Sequence, residues 1–184
     1  MNVLVMSGTG AKVVLQAESS KQSASAASMI SGIIAELGQS WIASIYRERI
    51  LPLRTRSYRL TVPAKTNTVE IQHTLLGVEL KAGKQRMMCP DLATARYLSV
   101  FARAGCTEVA VPYNITQIST LADELESSWH RMVLLVEHSA SERTAQFRSR
   151  LRALLAAEAR REIMEAGAGA AIPQFNQNTK QRRV

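Results

Sequence analysis

The chain has 184 residues, enough for one well-cored domain and too few for two. Apolar residues make up 46% and aromatics only 5%, so the core is built from Leu, Ile, Val, Met and Ala. The formal net charge is +8, and only six of the 23 basic residues are Lys; this balance favours anionic partners, and Arg in particular grips phosphate or carboxylate through two parallel hydrogen bonds.

The first residues alternate between β-rich runs and a Gly-rich turn. Val3–Met6 and Lys12–Gln16 flank Ser7-Gly8-Thr9-Gly10-Ala11, which reads as a hairpin. A phosphate-binding loop would need Ser or Thr directly after its Lys, and Lys12 is followed by Val13. The start carries no positive leader followed by a long apolar run, and no stretch has the apolar length that spans a bilayer, so the expectation is a cytoplasmic chain with no integral membrane association. Residues 1–27 are therefore read as an N-terminal hairpin and a Ser/Ala-rich linker, residues 28–166 as a single α+β domain, and 167–184 as a flexible basic tail.

Within the domain, Met29, Ile33, Leu37, Trp41, Ile45 and Ile50 recur at helical spacing, and Leu51-Pro52 ends that helix. The pattern then changes to alternation. Arg54 to Pro63 reads as a strand, Val69 to Leu80 as a second extended stretch that Gly77 divides, and Lys81-Ala82-Gly83-Lys84 as a tight hairpin with Gln85 to Cys89 returning. Pro90-Asp91 opens a helix that Gly105 stops. Val109-Ala110-Val111 reads as a buried strand, and Asn114 as the N-cap of a helix running to about Glu137. The apolar line Ile118–Leu121–Leu125–Met132–Leu135 on that helix leaves a homo-oligomer seam open. Ser139-Ala140-Ser141-Glu142 has the spacing of a capping box, so the last helix is expected to start there and to end before Gly167. The sum is an α+β fold: a small, mostly antiparallel sheet, about four helices with two long ones at the C-terminal end, and a disordered basic tail.

Charge is segregated along the chain. Residues 47–103 hold 11 bases and 4 acids, 104–142 hold one base and 6 acids, and 143–184 hold 9 bases and 3 acids. Asp123, Glu124 and Glu126 are expected to lie near their helix N-terminus, where the backbone dipole favours negative charge. On the first strand Arg54, Arg56 and Tyr58 fall on one face and Arg59 on the other, a surface suited to phosphates and stacked bases. The leading expectation is a non-enzymatic binding or adaptor protein. It would engage nucleic acid or an acidic protein surface through Arg54, Arg56, Tyr58 and Arg59, with Lys180, Arg182 and Arg183 of the tail as auxiliary contacts. An alternative is an assembly or regulatory factor whose tail binds a partner.

Catalytic signals are sparse. Cys89 and Cys106 sit in no metal-ligand spacing and read as two small buried groups; no cofactor is expected. His73, His130 and His138 are isolated from one another. Glu79-Leu80-Lys81 near a strand end, with Glu70 before it and Glu36 on the first helix, resembles the core of the PD-(D/E)xK nuclease superfamily. That resemblance implies Mg²⁺ held by the two acids Glu70 and Glu79, with Lys81 stabilising charge or the attacking water.

Overall fold

The computed structural model describes residues 26–61 and 68–169. The predicted N-terminal hairpin and the tail contacts Lys180, Arg182 and Arg183 lie outside them.

The first predicted helix is divided. Helix α1 covers residues 26–37, and Gly38, at φ 52°, turns the chain through a 3-10 turn at Gly38–Ser40. Helix α2, Ile42–Ile45, then widens into a π-turn at Tyr46–Ile50, closed by Leu51 N–H donating to the Tyr46 carbonyl at 3.0 Å. Pro52 follows. The apolar spacing holds across the break because both pieces face the same core: Ile33, Leu37, Trp41, Ile45 and Ile50 are buried.

The antiparallel strands divide into two sheets. Strand β1, Thr55–Arg59, pairs with β5, Glu108–Pro112. Strands β2, Val69–Thr74, β3, Gly77–Ala82, and β4, Gln85–Cys89, form a meander in that order. Gly77 belongs to a hairpin whose two turn residues are Leu75 and Leu76, and the Gly83-Lys84 hairpin forms as expected, with Gly83 at φ 62°. One face of the meander turns Leu80, Ala82 and Cys89 into the core; the other carries the charged side chains Glu70, Lys81, Arg86 and Glu79.

Helix α3, Leu92–Ala104, is the centre of the molecule. Asp91 caps its start by accepting from Thr94 N–H, and Gly105 at φ 81° ends it. Tyr97, Leu98, Val100, Phe101 and Ala102 are all fully buried. The α4 helix, Ile115–Ser139, starts at the Asn114 cap as expected and packs along α3. Of its apolar line, Ile118, Leu121, Leu125 and Met132 are buried in the same core and Leu135 is partly buried against it. The last helix, α5, is Ala145–Ala166 and ends at Gly167.

Its start corrects the capping-box expectation. Ser139 is still in α4, and Ala140 N–H bonds back to the Val136 carbonyl. The cap of α5 is Thr144, whose hydroxyl accepts from Phe147 N–H at 3.2 Å. Residues that finish one helix cannot also open the next, so the Ser139–Glu142 spacing has no capping function.

Among the described residues, strand β5 has a strand partner only on its β1 side, and two tyrosines bond to its other edge. Ala110 stands opposite Ser57, and its N–H and C=O point away from β1. Tyr46 hydroxyl accepts from Ala110 N–H at 2.9 Å, and Tyr97 hydroxyl donates to the Ala110 carbonyl at 2.6 Å. Tyr46 also donates to the Gly167 carbonyl at 2.7 Å, tying the end of α5 to this edge. Two residues on, Gly169 lies so close to β1 that a Cβ there would stand 2.6 Å from Thr55 Oγ1.

Candidate anion-binding surface

Most of the acidic side chains among the described residues are paired with cations inside the fold. Arg49 pairs with Glu124, Arg47 with Glu162 at 2.9 Å, and Arg96 with both Asp123 at 2.7 Å and Glu126 at 2.5 Å. Arg148 and Arg152 both approach Glu137, and Arg161 joins Glu158 and Glu165 along α5. The first turn of α4 holds no acid, so the helix dipole is not what accommodates Asp123, Glu124 and Glu126; arginines of neighbouring elements are. The hydrogen bonds to Glu126 and then Asp123 push the Arg96 guanidinium further up from its ordinary value.

Arg54, Arg56 and Arg59 stand outside this pairing, as do Arg103, Arg131, Arg143, Arg150 and Arg160; what distinguishes Arg54 and Arg56 is the ring they share. None has a carboxylate within 4 Å among the described residues. Glu108, directly opposite Arg59 in the ladder, is taken by the Ser57 hydroxyl. The antiparallel register then adds a residue that the sequence does not advertise. Arg56 stands opposite Val111, and continuing β5 by two residues brings Tyr113 to the same face. Tyr113 N–H donates to the Arg54 carbonyl at 3.2 Å, which seats its ring beside both guanidiniums. The Arg54 carbon Cζ lies 5.4 Å from the ring centroid and that of Arg56 5.9 Å, both in cation–π range. Tyr113 keeps about half of its surface (49%) in solvent. Arg56 Nε is buried without a hydrogen-bond partner among the described residues.

Tyr58 contributes less than its place in the alternation suggests. It is half-buried, and its hydroxyl is pushed up from the usual value chiefly by burial, then by the nearby Cys89 thiol, with Arg56 opposing. Arg59 is exposed on the opposite face, with Thr55 and Ser57. The surface is therefore Arg54, Tyr113 and Arg56, with Tyr58 at its edge and Arg59 behind it. Tyr113 escapes a reading of single elements because it lies after Pro112, outside both strand and helix. The signal that could have found it is the phase of β5, which puts Val109, Val111 and residue 113 on one face.

The nuclease residues are brought partly together. Glu70 stands opposite Lys81, and Glu79 lies diagonally on the same outer face. Their side chains are engaged with cations, however. Lys81 Nζ is 3.2 Å from Glu70 Oε2, which also accepts from Gln72 at 3.1 Å, and Arg86 approaches Glu79 at 3.8 Å. Glu36 is exposed on α1 and forms no part of this ladder. Among the described residues, no group of three or more Asp, Glu, His or Cys side chains could hold a metal ion. Neither cysteine is poised as a nucleophile. Burial pushes Cys106 up to about 12, and Cys89 is pushed up to about 11 by burial and the Asp91 carboxylate. Among the described residues, no helix is long and apolar enough to cross a membrane.

Comparison with protein-family models, with curated proteins and with solved structures gives no match.

Proposed function

We propose that this chain is a non-enzymatic binding protein that engages single-stranded nucleic acid through Arg54, Tyr113 and Arg56. The observation that carries this reading is a pair of guanidiniums without carboxylate partners that share one half-exposed ring. A ring face supplies stacking for a base, and the two guanidiniums supply bidentate donors for phosphate oxygens. An acidic protein surface would use the charges but leave the ring without a role. Two free cysteines fit a reducing, cytoplasmic setting. The basic tail would add phosphate contacts without changing the site.

Fluorescence anisotropy with a labelled single-stranded oligonucleotide tests the reading across a salt series. Replacing Arg54 and Arg56 together by Ala should flatten the plot of log K against log salt by about 1.4, at ~0.7 per phosphate contact on a single strand. Tyr113→Ala should weaken binding by about tenfold with little change in slope, as expected for a lost stacking platform. An oligonucleotide that does not bind at low salt, or that binds the double variant as tightly as the parent, would overturn the proposal.

A further inference from the structure

A second concave surface lies elsewhere in the fold and shares no residue with the Arg54–Tyr113–Arg56 cluster. It is a cleft of about 520 Å³ between the start of β2, the end of α3, and the facing sides of α4 and α5. That volume lies within the range of small-molecule sites, roughly 300–1,000 Å³. The small side chains Ala153 and Ala156 of α5 lie across it from Trp129 and Val133 of α4.

Its lining combines three chemistries that rarely meet by chance. Trp129 forms an aromatic wall; it is partly buried and packed against the core, so its ring is held in place. Its indole N–H has no hydrogen-bond partner among the described residues. Arg103 and Arg152 enter the same cleft from α3 and α5. Arg103 has no carboxylate within 4 Å among the described residues, and Arg152 reaches only Glu137, at 3.8 Å. The one acid in the lining, Glu70, is already held by Lys81, so the cleft as a whole is positive. Thr68 and Ser149 add hydroxyls.

We propose that this cleft binds a small free nucleotide, its base stacked on Trp129 and its phosphate held by Arg103 and Arg152. A flat ring with an attached dianion is the ligand class that uses the aromatic wall and both guanidiniums together. A bare phosphate leaves the indole unused, and a neutral aromatic leaves the two arginines unused.

The chain holds two tryptophans, and only one can report on the cleft. Trp41 is 1% exposed and its indole N–H donates to Glu162 at 3.0 Å. Titration with adenosine monophosphate should therefore quench Trp129 emission saturably, with adenosine alone and inorganic phosphate alone each binding at least about tenfold more weakly. The R103A/R152A variant should lose about tenfold or more in affinity. Should that variant melt early by circular dichroism, Ala153→Leu serves in its place: residue 153 is exposed, and the larger side chain fills the cleft without entering the core. Quenching that stays linear with concentration, or an affinity unchanged in both variants, would overturn the assignment. So would tighter competition by a 5′-phosphorylated oligonucleotide than by adenosine monophosphate, which would give the cleft to a nucleic-acid end. Loss of binding in R54A/R56A with R103A/R152A unaffected would place the nucleotide at the other surface.

Discussion

Tyr46, Tyr97, Cys89 and Cys106 are ionisable groups placed where ionisation is costly, and this gives the fold an alkaline limit. Burial pushes Tyr46 up to about 12 from 10, chiefly through desolvation, and burial and then Tyr46 push Tyr97 well up from its ordinary value. The thiols rise from 9, Cys106 to about 12 and Cys89 to about 11. In each case the folded state keeps its proton at a pH where the unfolded chain has lost it. Stability is then complete below about pH 9 and declines above it, by about 1.4 kcal/mol per pH unit for each group in its window. Urea unfolding followed from about pH 8 to about 11 should show the decline beginning near 9. Replacing both cysteines by Ala should delay its onset to near 10, where Tyr46 begins to contribute; an unchanged onset would assign the decline to other groups. The burial of both thiols was legible in the sequence from their isolation. The tyrosine bonds to Ala110 were not, because they join residues 64 and 13 positions apart through an edge that exists only once β1 and β5 have paired.

Among the elements, those with local signals formed where the sequence placed them. Asp91 and Asn114 cap α3 and α4, and Gly105 and Gly167 end α3 and α5, because each of these choices is decided within a few residues. The two departures come from tertiary competition. Gly38 interrupts a periodicity that continues on both sides of it, so spacing alone cannot reveal the break. The Ser139–Glu142 spacing fails because α4 extends through Ser139 and buries Ala140, which is 1% exposed. The two caps can be told apart by substitution. Thr144→Ala should cost about 1 kcal/mol, since Phe147 N–H loses its acceptor. Ser139→Ala should stay within about 0.5 kcal/mol, as expected for a surface change away from a cap. Urea denaturation of the two variants decides which residue opens α5, and a larger loss at Ser139 would restore the capping box.

For the whole molecule, the charge pattern is the feature most changed by folding. In sequence an acidic block separates two basic ones; in space the acidic side of α4 is ringed by arginines from the π-turn and α3, with Arg148 and Arg152 of α5 at its C-terminal end. That neutralisation could not be read from the sequence, because it depends on which helices become neighbours. It also sorts the arginines into two kinds with opposite expected behaviour. Arg96→Ala leaves Asp123 and Glu126 facing one another without a cation, and should destabilise by about 1 kcal/mol at low salt, a figure kept small by the partial exposure of all three side chains. At about 1 M salt, where the screening length is only ~3 Å, most of that loss should vanish. Arg54 and Arg56 have no carboxylate partners, so R54A/R56A should lose only the ~1–2 kcal/mol of its two cation–π contacts with Tyr113, and by the same amount at either salt concentration. Measuring both variants in both salts separates cations that hold the fold from cations the fold leaves over. A double variant whose loss vanishes at high salt, as that of Arg96→Ala should, would mean that carboxylates hold the β1 arginines, and the binding surface would lose its main support.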